Sequence, residues 1–517
     1  MVTAREFSFT LSRRSVPVGT TRFVVTNAGV LAHDFAIAGK KTRLLKPGER
    51  ATIVVRFHRA SHSAYRCSVP DQAALGMRGV LVVGKPEPGR SGQPSPPPPR
   101  TLYVDQRSPN CSDGGSGTAA QPFCTIAPAA SRLTAGQTVL VMSGTYNETV
   151  TVSRSGATSA RINFVAAPGG NVSVIGAANG RSFGFYVNGH SYVTVQGFSV
   201  TGTGADGIVV RNSSNIIIRG NHVSYAGQPA EGKLATGIRL EGATDSIVAG
   251  NTVDHNTNYG IYLQSGSTRN QIVGNRVSQN ARVIERAAAG IGLFSSPENT
   301  VAGNISHDNE DSGIGFLPGS NNSLVCDNVV YDNGDHGIDS YRSTGQRIIT
   351  NTAYKNATAG INVEADSTGA TIANNISVDN GIGSPRTHGD IRVESGSTSG
   401  TTMDFDLVYR STHDTILVWN SVSYASLAAF KSATGQEAHG LQRNPRFRDA
   451  VRGNFHLTAR SPAIDSANSG VSGQPKTDVE GNPRFDDPAV PNTGVGPRRS
   501  DDRGAYEFRR VKRVKLS

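Results

Sequence analysis

The sequence predicts an all-β chain whose larger part winds as a solenoid, and three observations carry that prediction. Gly207, Gly237, Gly260, Gly290, Gly313, Gly337 and Gly360 are each followed by Ile, with gaps of 30, 23, 30, 23, 24 and 23 residues. That is a constant rung with optional short insertions. Asn221, Asn251, Asn275, Asn304, Asn328, Asn351 and Asn375 follow their glycines by 14 or 15 residues, and Asn256, Asn280, Asn309, Asn333, Asn356 and Asn380 lie five further on. Between these columns run short alternating stretches such as GIRLEG, SIVAGN and GIYLQS, too short for helices and rich in Val and Ile. Each rung is therefore strand, turn, strand, turn, strand. Stacked at about 4.8 Å, the rungs would let asparagine amides bond from one turn to the next, so the asparagine columns are expected to be structural.

In chain order, residues 1–84 form a first domain of alternating strands, among them AREFSFTLS, TRFVVTNAG, ATIVVRF and GVLVVG. Residues 85–100, KPEPGRSGQPSPPPPR, cannot sustain a ladder or a helix and read as a stiff, extended linker. The solenoid occupies 101–517, with an N-terminal cap over about 101–182, repeats over about 183–409 and a closing segment over about 410–517. A short helix at 125–133 is expected to shield the first rung from edge pairing.

Fifty-nine Gly, 25 Pro and 18% charged residues suit turn-dense β structure. The net charge of +11 favours acidic partners, whether polyuronate, anionic cell wall or nucleic acid. No nucleic-acid motif and no interleaving of aromatic and basic residues is present, so nucleic acid is not expected. The basic end RRVKRVKLS reads as a solvated tail, and one Trp, Trp419, is thin provision for stacking neutral sugars. No apolar stretch approaches the roughly 20 residues that cross a bilayer, and no signal peptide is visible. Cys111 and Cys124 flank a Gly/Ser-rich loop and are expected to pair, which needs an oxidising compartment. An extracellular or cell-surface monomer follows as the expectation.

The first domain, with AHDFAIAG and YRCSVPDQAALGM, resembles the cupredoxins, Greek-key β-sandwiches that hold one copper. The resemblance implies His33, Cys67 and Met77 as three of the four ligands. Gln72 stands where the family's second His is expected, and a Gln amide is a harder and weaker copper ligand than imidazole. The domain is then either a modified copper site or a sandwich without metal that targets or spaces.

From residue 101 onward the chain resembles the right-handed parallel β-helix proteins of carbohydrate metabolism, the pectate-lyase-like class. YVDQ and QPFCTIAPAA are similar to the cap of many members, and NPRF, FHLTARSPAID, TDVEGNPR and DDRGAYEF resemble the closing segment of bacterial surface members. Lyases, hydrolases, epimerases and adhesins all use this fold, so the resemblance specifies architecture more than reaction.

Counting from each Gly, the Ile at +1 should point inward and the residue at +2 outward. The outward row reads Val209, Arg239, Tyr262, Gly292, Gly315, Asp339, Asn362 and Arg392, with Tyr341 and Glu364 among its neighbours at +4. Insertions at 227–236, 281–289 and 381–389 all enter just before the Gly, and the second and third should stand as walls roughly 19 Å apart. On the floor between them, Asp308, Asp332, Lys355 and Asp379 form one column, while Asp311 stacks on Asp335 two residues before the Gly. Two carboxylates about 5 Å apart repel by roughly 3 kcal/mol at an effective dielectric near 20, so a cation, a Lys or a shifted pKa must offset them.

In polyuronate lyases of this fold, the resemblance implies acids that bind Ca²⁺ against the substrate carboxylate and a base that removes the neighbouring proton. By position Asp311, Asp335 and Asp339 could hold calcium, Lys355 or His336 could be the base, and Arg239, Tyr262, Tyr341, Glu364 and Arg392 could bind substrate. A hydrolase would pair Asp339 with Glu364. The preferred expectation is a secreted lyase acting on an acidic, uronate-containing polysaccharide. Non-catalytic glycan or surface binding is the alternative, and copper handling the second.

Overall fold

The computed structural model describes residues 1–5, 8–13, 15–28, 32–46, 48–69, 77–84, 101–176, 182–227, 234–281, 288–384 and 386–510. The linker, all but the first two residues of the basic tail, Gln72 and most of the first two insertions lie outside the described residues. Contacts divide the chain into two compact units, Met1–Gly144 with Gly156–Asn171, and Thr145–Ser155 with Val172–Ser517.

The first unit opens with two sheets that fit a β-sandwich. One has Val2–Arg5 between Ser8–Leu11 and Gly19–Asn27, with Arg50–Phe57 beyond, and the other runs Ser15–Val16, Arg78–Val83, Ser61–Arg66, Ala36–Ile37, Lys40–Lys41. Alternation decides which side is core: Phe23, Val25, Val55, Phe57 and Leu81 turn inward around Phe35. The Phe35 ring lies 5.0 Å from Phe9 and 5.5 Å from Tyr65. The first parallel strands of the coil, Thr101–Val104, Thr138–Val141 and Ile162–Ala166, follow in the same unit. Between the first two, helix Ile126–Arg132 buries Ile126, Ala129 and Ala130. A disulfide joins Cys111 to Cys124 across 13 residues.

The second unit is a coil of three parallel sheets. The sheet that carries the glycine-led strands has twelve strands, from Val150–Val152 to Val422–Tyr424, the last of them antiparallel to Leu417–Trp419. Its register is that of the sequence columns: Ile208, Ile238, Ile261, Ile291, Ile314, Ile338, Ile361 and Ile391 pair in succession, and every one is fully buried. The asparagines form the expected ladders. In Asn251 both the backbone N–H and Nδ2 donate to Asn275 Oδ1 at 2.9 Å, and Nδ2 also donates to the Ile218 carbonyl at 3.0 Å. Each column ends on a carboxylate: Asn375 donates to Asp406 and Asn380 to Asp390. An aspartate offers the accepting oxygen without the amide N–H groups that would need a further partner on the next rung, which suits the last position of such a chain.

The closing segment does more than cover the last rung. Helix Leu427–Thr434 packs Phe430 against Tyr424 at 5.3 Å. The chain then returns along the flank of the coil, where Phe455, Leu457, Ile464 and Tyr506 bury Tyr331, Tyr354, Ile376 and Leu407. Among the described residues no helix is long and apolar enough to cross a membrane.

Candidate active site

The outward row is continuous in the structure: Arg239, Tyr262, Gly292, Gly315, Asp339, Asn362 and Arg392 are successive register partners on the twelve-stranded sheet. Toward its N-terminal end Tyr262 lies flat on Tyr259, with ring centroids 4.1 Å apart and planes 7° from parallel. Arg239 sits 6.0 Å above Tyr262 and is paired to Asp206 at 2.9 Å. A side chain at Gly292 would collide with the Tyr259 ring, so that glycine makes room for the stacked pair. At Gly315 an added Cβ would meet only Ala289, at 3.5 Å.

Past Gly315 the row enters a cluster of acids. Asp339, His336 and Glu364 bring one ligand atom each to within 4.8 Å of one another, the one such trio among the described residues. Asn362 ties it together, since its Nδ2 donates to Asp339 Oδ1 at 2.8 Å and lies 3.2 Å from His336 Nε2. Arg392 Nη1 donates to Asn362 Oδ1 at 2.8 Å and to Glu364 Oε2 at 2.7 Å. On the other side of His336, Nδ1 is 2.7 Å from Thr358 Oγ1, which donates to Asp335 Oδ1 at 2.6 Å. Arg386, from the third insertion, clamps the same carboxylate with two bonds of 3.1 and 3.0 Å.

The electrostatics follow from burial and from who neutralises whom. Burial and the neighbouring Asp335 push Asp311 up to about 6. Burial also opposes ionisation of Asp335, but the Thr358 hydroxyl and the Arg386 guanidinium, joined by His336 only when that ring is protonated, outweigh it and hold that carboxyl below its ordinary value. Asp339 stays well above the usual carboxylate range because it is desolvated beside Glu364. Burial pushes His336 down, so its imidazole is neutral. For a neutral ring these contacts fit a proton on Nδ1: Thr358 gives its hydrogen to Asp335 and accepts from His336 Nδ1–H, while Nε2 lies 3.2 Å from Asn362 Nδ2 and 3.6 Å from Asp335 Oδ1.

The structure thus brings His336, Asp339, Glu364 and Arg392 together and sets Asp335 next to them, with Asp311 one rung away in the same column as Asp335. Arg239 and Tyr262 stand about 19 and 14 Å from Asp339 along the row, at one rung each. Tyr341 pairs in register with Glu364 and lies under Arg342, 5.3 Å away. Lys355 is elsewhere: its Nζ is 5.3 Å from the ring of Tyr354, at the edge of the flank covered by the closing segment. Its column neighbour Asp332 feels its charge. No contact links it to His336.

In the sandwich, His33, Cys67 and Met77 are all buried. Cys67 Sγ accepts the Asp34 N–H at 3.4 Å, and burial pushes the thiol up to about 11.

Two residues at the cluster were not foreseen. Thr358 was legible, because it continues the column of Asp311 and Asp335, two residues before Gly360. Arg386 was not, since an insertion has no register to place it.

This coil is the architecture of the pectate-lyase-like right-handed β-helix proteins. The signature of the family described as Pel9A-like, right handed beta helix region, matches residues 102–397, and the chain belongs to that family. Among curated proteins it is similar to the uncharacterized protein YwoF of Bacillus subtilis (strain 168), 29% identical over 441 residues, which is 70% of this chain and 92% of that one. Among solved structures it is similar to pectate lyase Pel9A, with a TM-score of 0.49 and 16% identity over 80% of this chain and 98% of that one. It is also similar to XylC in complex with xylose, with a TM-score of 0.48 and 14% identity over 62% and 86% of the two chains.

Proposed function

We propose that this protein acts on a polysaccharide and that the reaction is β-elimination in an acidic, uronate-containing chain, outside the cell. The observation that carries the proposal is the Asp335–Thr358–His336 chain of contacts, which allows a neutral imidazole to carry its proton on Nδ1 among acids and arginines. In the reaction His336 Nε2 takes the proton beside the uronate carboxylate, a carbon–carbon double bond forms as the bond to the leaving sugar oxygen breaks, that oxygen takes a proton from water, and the imidazolium gives its proton to the hydroxide left behind. Asn362 must release Nε2 before this happens. Arg392 offsets the charge that builds on the substrate carboxylate. Calcium would be held by Asp339 and Glu364, whose oxygens belong to the one converging trio of ligands among the described residues; Asp311 and Asp335 do not join that trio. Calcium would supply further neutralisation of the substrate carboxylate. The Cys111–Cys124 bond supports the extracellular assignment.

The test is incubation with polygalacturonate, alginate and glycosaminoglycans, with calcium or with a chelator, while the absorbance of unsaturated uronate is followed. Product from at least one polymer, lost in His336→Ala, is expected. No product from any of them sinks the proposal. A non-catalytic glycan binder is the second reading, favoured by the fact that Arg386 already satisfies Asp335 and Arg392 already satisfies Glu364. It gives binding without product.

A further inference from the structure

The N-terminal sandwich carries most of the chain's net charge. Residues 1–84 hold thirteen Lys and Arg against four Asp and Glu, a net +9 of the chain's +11. On that sandwich lies a surface groove of about 950 Å³, walled by Lys40, Lys41, Arg66 and Arg78. All four are exposed. Among the described residues none of them has a carboxylate partner, whereas Arg43 nearby is paired to Glu49 at 2.6 Å.

Strand register makes this arrangement a row. Lys41 pairs with Ala36, Ala36 with Arg66, and Arg66 with Arg78, so three cations and one alanine cross four strands on one face. Arg66 directly opposite Arg78 is a like-charge pair, which destabilises a sheet. Small side chains, Ala36, Ala38 and Ala64, floor the groove between the cations. The one aromatic ring that lines it, Tyr65, packs at 5.9 Å from Phe9 and 5.5 Å from Phe35 in the sandwich core. A stacking platform for bases is therefore absent among the described residues, which disfavours single-stranded nucleic acid as the occupant.

We infer that this groove binds a linear carboxylated polysaccharide and anchors the protein on its polymer, at a site on the sandwich separate from the acid cluster of the coil. Repeated carboxylates along an extended chain match a row of cations a strand spacing or two apart, and they relieve the Arg66–Arg78 repulsion. The identity of the polymer rests on the elimination proposal; the anion site does not.

The experiment is affinity electrophoresis of the full chain in gels containing polygalacturonate, neutral dextran or single-stranded DNA, at low and high salt. Wild type should be retarded by polygalacturonate and not by dextran, with the effect fading at high salt. Lys40→Glu/Lys41→Glu and Arg66→Glu/Arg78→Glu should each weaken retention at least tenfold, and Arg66→Gln/Arg78→Gln, a milder change at exposed positions, should weaken it less. Release of unsaturated product from a short soluble oligouronide should not change in any of them. Retention equal to wild type in both charge-reversed variants overturns the inference, as does equal binding to dextran or tighter binding to DNA. If no polymer is ever cleaved yet retention falls in the variants, the elimination proposal fails and the anchoring site stands.

Discussion

His336 Nδ1 lies 2.7 Å from the hydroxyl of Thr358, a residue 22 positions later that belongs to the next rung. The coil converts one rung of sequence into one strand spacing, so a side chain in the column of Asp311 and Asp335 can orient an imidazole below it. Thr358→Val keeps the shape and removes that chain of contacts. We expect a loss of about 1–3 kcal/mol in stability from the unpaired buried groups, and at least a tenfold fall in kcat with little change in KM. Thr358→Ser should restore most of both. Wild-type turnover in the valine variant would show that the tautomer does not matter.

Arg386→Ala removes the clamp on Asp335. A carboxyl held below its ordinary value contributes stability that is present above the unfolded pKa and lost as pH falls through the folded one. The penalty of the substitution should therefore be large at pH 7 and shrink below about pH 4, near the ordinary Asp value. Thermal midpoints of both proteins across this range check it; a penalty independent of pH would mean that Arg386 acts by packing alone.

Asp390, at the end of the second asparagine ladder, responds in the opposite sense. Burial pushes it up to about 8, with Arg410 only partly offsetting this from 3.8 Å. Its stabilising contribution is complete below the unfolded pKa near 4 and is lost as pH rises toward 8. Asp390→Asn keeps an oxygen for Asn380 and has no charge to bury, so its midpoint relative to wild type should climb between pH 4 and pH 8. A flat difference would refute the burial argument.

The two glycines of the outward row should behave differently. Gly292→Ala puts a methyl into the Tyr259 ring and against Tyr262, at 3.2 Å from its nearest atom, and should cost about 1–3 kcal/mol in denaturant unfolding. Gly315→Ala meets ordinary contact at 3.5 Å and should be neutral or stabilising by up to about 1 kcal/mol. Equal effects would mean that the tyrosine stack does not need its gap.

The sequence by itself determined the coil, the inward isoleucines, both asparagine ladders and the outward row from Arg239 to Arg392, because a strand alternates every residue and a rung repeats at nearly constant length. It also determined that Asp311 stacks on Asp335. Register determines height along the coil, but at a corner it does not determine direction. Lys355 sits at such a corner with φ 50°, and that left-handed turn sends its side chain to the flank of Tyr354, away from His336. Only the tertiary structure decided that the closing segment would cover that flank and that an insertion would bring Arg386 onto Asp335. It also decided that Asn362 would join His336, Asp339 and Arg392 into one network, since these contacts depend on how side chains of different rungs meet, which no repeat length encodes.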